Sequence, residues 1–198
     1  MKKHSFYIEP FAPFGLFVLF FVCEKTVQTA MISSVFVHEA AHLIAALFCG
    51  ERIQSVRLTS FGISLGFSNP KSYGEEAVVA ICGPMISFLF AAMGRFSGGA
   101  FGEQVCTFSA FLGLINLFPL PTFDGWRVLR AAISCLFGLD AAERAAHAIS
   151  MVCLFAAWVM SIYILFYSGA NFALLLFCSY IFAVTVIKRD CIYKEKMI

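Results

Sequence analysis

The chain has 198 residues, of which 61% are hydrophobic and 13% charged, with a net charge of +2 and a mean hydropathy of +0.86. Soluble domains carry roughly 25% charged residues, so this composition excludes an ordinary water-soluble domain and gives no basic surface for nucleic acid, leaving one compact membrane domain. Eight cysteines are scattered with no CxxC pair, so neither a disulfide framework nor a cysteine zinc site is indicated.

In chain order, Lys2 and Lys3 precede an apolar run that ends in "LFFVCEK". No small-x-small cleavage site follows, so the run reads as a retained anchor. A crossing helix needs about 20 mostly apolar residues. Counting from Phe6 to Cys23 gives a first crossing, interrupted by Pro13 and Gly15. Thr26 to Gly50 is the second. Beyond it, Phe61, Ile63, Leu65 and Phe67 alternate with Gly62, Ser64 and Gly66, the period of a strand with one apolar face. Ile53 to Thr59 is its expected partner in a small hairpin on the membrane surface.

Ala77 to Gly94 and Gln104 to Phe123 are free of charge and give the third and fourth crossings. Asp140, with Glu143 three residues on, reads as the cap that starts the fifth. The uncharged run from Ala145 to Ile187 is too long for one span. "YSGANF", Tyr167 to Phe172, is its natural turn and leads into a sixth. The expected fold is therefore an all-α polytopic membrane protein. It has about six transmembrane helices, a β-hairpin between the second and third, and one domain over residues 1–198 without a PDZ or CBS unit. With both termini in the cytosol, twelve Lys and Arg fall inside and only Lys25 and Arg95 outside, as the positive-inside rule favours.

The second crossing contains "HEAAH", with His38, Glu39 and His42. Residues four apart share a helix face, so His38 and His42 can offer two imidazoles to one metal. In this HExxH pattern the glutamate acts as general base toward a zinc-bound water. Random placement of this chain's residues yields roughly 0.004 copies of the motif. Ionisable groups at membrane depth cost roughly 2.5–3.5 kcal/mol and persist where they are paired, hydrated or functional.

A catalytic zinc takes three protein ligands and keeps one position open. Of the three aspartates, Asp190 lies in the basic tail and Asp140 serves as a cap. Asp124, in "INLFPLPTFDGWRVL", stands at the cytosolic end of the fourth crossing, the depth of the two histidines. Pro119 and Pro121 bar a regular helix before it, and such backbone is tolerated at membrane depth only where protein or water covers it. Gly125 allows close approach as the chain restarts. Trp126, Leu129 and Ile133 are expected to face lipid, with Arg127 and Arg130 at the head groups. His147 reads as an interfacial residue.

HEAAH in an early transmembrane helix, followed about eighty residues later by "NLFPLPTFDG", resembles the site-2 proteases, which are intramembrane zinc metalloproteases. The second signature falls on Asn116, Pro119, Pro121, Asp124 and Gly125. "AVVAICGPMIS" is similar to the family's Gly-Pro element, at Gly83 and Pro84, with Ser87 where many members carry asparagine. The resemblance covers roughly residues 6 to 135 and places the catalytic core at about 26–135. It implies His38, His42 and Asp124 as ligands of one Zn2+ per chain and Glu39 as catalytic base. It implies substrate positioning by Asn116, Pro119, Pro121, Gly83 and Pro84, with the surface hairpin receiving the substrate as an added strand.

The layout resembles the compact branch that includes a sporulation protease activating a sigma factor. The activity so implied is a metalloendopeptidase cutting in or near a transmembrane segment, as in regulated processing of a transcription or sigma factor precursor. Its partners would be a membrane-protein substrate, the lipid bilayer and a regulatory membrane protein, with no nucleic acid. Its place would be a bacterial cell membrane. The competing class is a non-catalytic metal scaffold or zinc carrier, for which the Glu39 carboxylate is superfluous.

Overall fold

The computed structural model describes residues 5–8, 24–51, 53–59, 62–67, 72–121, 123–168, 172 and 174–182. The elements in order are β1 (Ser5–Ile8), α1 (Lys25–Phe48), β2 (Ile53–Thr59), β3 (Gly62–Phe67), α2 (Tyr73–Ser97), α3 (Gly99–Asn116), α4 (Asp124–Phe137) and α5 (Leu139–Ser168). Residues 174–182 are again helical. Among the described residues, three helices (α1, α2 and α5) are long and apolar enough to cross a membrane. The first expected crossing lies mostly outside the described residues, and so does the expected turn at Gly169 to Asn171.

The start of that first crossing is a correction. Ser5–Ile8 form a strand, not helix, and pair parallel with β2, Ser5 opposite Ser55 and Ile8 opposite Leu58. Phe, Tyr and Ile favour a pleated surface, and Pro10 disfavours helical backbone at Glu9. β2 runs antiparallel to β3, from Thr59 opposite Gly62 to Ile53 opposite Phe67, with one irregularity between Ile53 and Ser55. The sheet order is β1-β2-β3.

Local signals set the helix ends. α1 stops where Gly50 takes φ 73°, and the Glu51 amide reaches back to the Ala46 carbonyl. That is a left-handed C-terminal cap suited to glycine. Ser72 caps α2, accepting from the Glu75 amide at 3.2 Å. α5 starts at Leu139, one residue before the sequence signal. The Ala142 amide donates to the Gly138 carbonyl, so Asp140 sits inside the first turn. An acid there still favours the positive helix end.

The distribution of side chains is inverted relative to a water-soluble bundle. Phe36, Phe48, Phe96, Leu136 and Phe166 point outward, while Ser34, Ser87, Ser109, Ser150 and Ser161 are buried. Helices in lipid gain no hydrophobic drive toward one another and associate through small residues and hydrogen bonds. An added Cβ on Gly94 would lie 2.7 Å from the Gly102 carbonyl oxygen, so α2 and α3 touch backbone to backbone. Ser109 Oγ donates to Ser34 Oγ at 2.8 Å, joining α3 to α1.

α4 is tied to α2 by charge. Arg130 Nη2 donates to Glu76 Oε1, and Arg127 Nε stands 4.0 Å from the same oxygen. Glu76 is 6% exposed at the first turn of α2, and a buried carboxylate needs a partner, which these two partly exposed arginines supply. Breaking a buried pair from one side costs about 3 kcal/mol or more. Arg130→Ala, which leaves the buried carboxylate with only the more distant Arg127, is therefore expected to lower the unfolding midpoint in detergent well below that of Glu76→Ala, which leaves two partly exposed guanidiniums. Equal midpoints for Arg130→Ala and the parent chain would exclude this clasp.

Candidate metal centre

α1 brings its motif to the interior because Ala30, Ser34, His38, Ala41, His42, Ala45 and Ala46 make up its buried face. The chain after α3 cannot continue as helix through Pro119 and Pro121, so the fourth expected crossing ends at Asn116. The irregular stretch is held from behind: Leu120 and Phe123 pack with Leu154 and Ile181, and Ser150 Oγ donates to the Pro119 carbonyl. A new helix then starts at Asp124. Gly125 is needed there, since a Cβ would overlap the Leu117 carbonyl and lie 2.6 Å from that of Phe118.

Three ligand-type atoms meet as a result. His38 Nε2 and His42 Nε2 are 3.2 Å apart. Asp124 Oδ2 is 3.2 Å from the first and 3.0 Å from the second. This group could hold a metal ion. Each ring is fixed by its other nitrogen: His42 Nδ1 meets the Val79 carbonyl at 2.8 Å, and His38 Nδ1 meets Ser87 Oγ at 2.8 Å. A carbonyl only accepts, so Nδ1 of His42 carries the proton and its Nε2 presents a lone pair. Three electron-rich atoms this close need a proton or a metal ion among them. Ligands about 2.0 Å from a tetrahedral zinc stand about 3.3 Å from one another. The observed separations fit that spacing.

Glu39 follows His38 and is half-buried. It lies within electrostatic reach of His42, Asp124 and Arg127. Glu51, just past α1, is also near Arg127; burial pushes its carboxyl up, and the guanidinium opposes that shift.

The remaining sequence candidates separate by location. Gly83 is against the rings: a Cβ would overlap His42 Nε2 and lie 2.9 Å from His38 Cε1. Pro84 is buried one residue on, and its carbonyl faces Gly113 of α3. Asn116 Nδ2 donates to the Leu112 carbonyl of its own helix at 2.9 Å. His147 meets Trp126, with ring centroids 4.7 Å apart and the planes tilted by 57°, and is not a member of the three-residue ligand group. Three neighbours of the site carry no such motif: Ser87 and Val79, which meet the rings, and Glu76, which meets the arginines of α4. Their spacing along one face of α2 was visible, but the groups they would meet were not.

The sequence matches the family model described as peptidase M50B-like over residues 14–167. No curated protein matches it. Among solved structures, the fold is similar to the site-2 protease from Methanocaldococcus jannaschii, with a TM-score of 0.64 and 20% identity, covering 91% of this chain and 89% of that one.

Proposed function

The chain belongs to the peptidase M50B-like family, and on that premise we propose that it is an intramembrane zinc metalloendopeptidase. Its substrate is a membrane protein, cut in or near a transmembrane segment. The observation that carries the reading is the convergence of His38 Nε2, His42 Nε2 and Asp124 Oδ2 within 3.2 Å of one another. Three such donors leave a fourth position open, the arrangement of a catalytic rather than a structural zinc.

When bound, zinc supplies Lewis acidity to the attacking water and the scissile carbonyl. Glu39 takes the proton of that water and delivers it to the departing amine. Val79 and Ser87 hold the two imidazoles in place. A substrate helix hides its carbonyls in its own hydrogen bonds, so it must unwind locally before attack. The irregular stretch from Leu117 to Pro121 follows α3 and leads into Asp124, and its prolines, which bar a helix there, are given the role of keeping room beside the ligands for the unwound substrate.

The test uses the purified chain in detergent or vesicles with a single-span model substrate. Elemental analysis is expected to find one zinc per chain, and a zinc chelator to stop cleavage. Asp124→Ala is expected to lose most of its zinc, since two imidazoles from one helix do not close the site. Full zinc content in Asp124→Ala would remove it from the ligands, and cleavage that survives complete zinc removal would reject the metallopeptidase reading.

A further inference from the structure

α2 carries more than the partners of the two rings. Glu76, Val79, Gly83 and Ser87 follow one another at spacings of three, four and four residues, so they share one buried face of the helix. Val79 meets His42, Gly83 gives both rings clearance, and Ser87 meets His38. Glu76, first in that row, turns to a different helix. It accepts from Arg130 Nη2, and Arg127 Nε stands 4.0 Å from the same oxygen. Both arginines belong to α4, the helix that begins at Asp124.

We propose that Glu76 is a positioning residue for the metal centre: its grip on Arg130 and Arg127 sets α4 along α2 and thereby holds the Asp124 carboxylate against the two imidazoles. The proposal rests on the metallopeptidase reading above. α4 packs on α2 and α5, so its placement relative to α1 passes through α2. On its other side Asp124 follows backbone that the prolines keep out of a helix, which leaves it no helical ladder to fix it from there. Arg130 stands six residues past Asp124, about 9 Å along the helix axis. A slide of α4 at the clasp therefore moves the carboxylate by a similar amount, and a ligand set tolerates only about 0.5 Å of misplacement.

One helix face is then the reference for all three ligands. It fixes His42 by a carbonyl, His38 by a hydroxyl, and Asp124 at one remove by a carboxylate. Burial suits the last of these, because a carboxylate shielded from water keeps its guanidinium partners. Without it, α4 retains the close approach of Gly125 to the Leu117 carbonyl but loses the restraint one and two turns further on.

Affinity and stability separate this role from a clasp that only braces the fold. Arg130→Ala is the more destabilising change, because it leaves the buried carboxylate short of a partner. Glu76→Ala does more harm to the site, because it releases both arginines at once. Zinc affinity is measured by chelator competition on the full chain in detergent micelles, well below each variant's unfolding midpoint. Glu76→Ala is expected to bind zinc about tenfold or more weakly than the parent, and Arg130→Ala to lose less. Cobalt in place of zinc reports ligand geometry through its visible bands, which should shift in Glu76→Ala. Gly94→Ala is the control. It overpacks α2 on α3, where a Cβ lies 2.7 Å from the Gly102 carbonyl oxygen, and should lower the midpoint with the cobalt bands unmoved. If Glu76→Ala yields no folded chain, Glu76→Gln, which keeps the shape without the charge, is held to the same limits. Zinc affinity within about twofold of the parent, a larger affinity loss in Arg130→Ala, or cobalt bands that move no more than in Gly94→Ala overturns the inference and leaves the metallopeptidase reading standing. A parent chain that takes up neither zinc nor cobalt overturns both.

Discussion

Glu39→Gln is expected to keep its zinc and to lose peptide cleavage by about a hundredfold to ten-thousandfold, the usual contribution of a positioned general base. The amide has nearly the same shape as the carboxylate but cannot take a proton from the attacking water. The ligand atoms belong to His38, His42 and Asp124, so metal content should not follow activity down. The measurement is paired: zinc by elemental analysis, and cleavage of a single-span substrate under initial-rate conditions. Complete cleavage by the zinc-loaded variant would refute the role given to Glu39. Loss of zinc along with activity would make Glu39 part of the metal's support instead. This separation matters because a zinc carrier would need the same histidines and no base beside them.

Gly83→Ala should do the opposite, removing metal and activity together. A methyl group on that residue would overlap the Nε2 atom of His42 and reach 2.5 Å from its Cε1. Neither side can yield easily. α2 is buried along this face at Val79, Ala80, Gly83, Pro84 and Ser87, and His42 is pinned by the Val79 carbonyl. Overpacking of a tight interior costs typically 1–3 kcal/mol, and here the strain falls on the ring that must aim at the ion. Zinc affinity is expected to drop by at least a hundredfold, more than for a typical lost orienting partner. Gly74→Ala serves as a control, because a Cβ there meets only Ser72 Oγ at 3.8 Å. Zinc binding by Gly83→Ala equal to that control would show that the rings have more room than the structure gives them.

The centre itself was legible because its parts are chemically out of place. Two histidines and a glutamate in a greasy helix, and an aspartate after a proline-broken run, have few explanations other than a site. The distance between α1 and α4 was not legible. It depends on Gly125 closing onto the Leu117 carbonyl and on Glu76 pairing with Arg127 and Arg130. Nothing in the spacing of Glu76 distinguishes it from Glu75 beside it, which lies in the same first turn. Helix ends were blurred for the same kind of reason. Apolar runs mark what lipid tolerates, and so the fourth run read through to Phe123 although helical backbone stops at Asn116. The start of the first run departs for another reason, since Ser5–Ile8 pair with β2 residues 50 positions further along the chain.

The inverted interior has a consequence for how this chain responds to heat. Unfolding of a water-soluble domain wets apolar surface, and the resulting heat-capacity increment bends its stability curve into a dome. Here the groups that separate when α1, α2 and α3 come apart are largely serine hydroxyls, glycine backbone and small apolar side chains, while the phenylalanines already face outward in the folded chain, where a bilayer would meet them in either state. Little new apolar area meets water, so the curve should be nearly straight, with no cold limb to fall from.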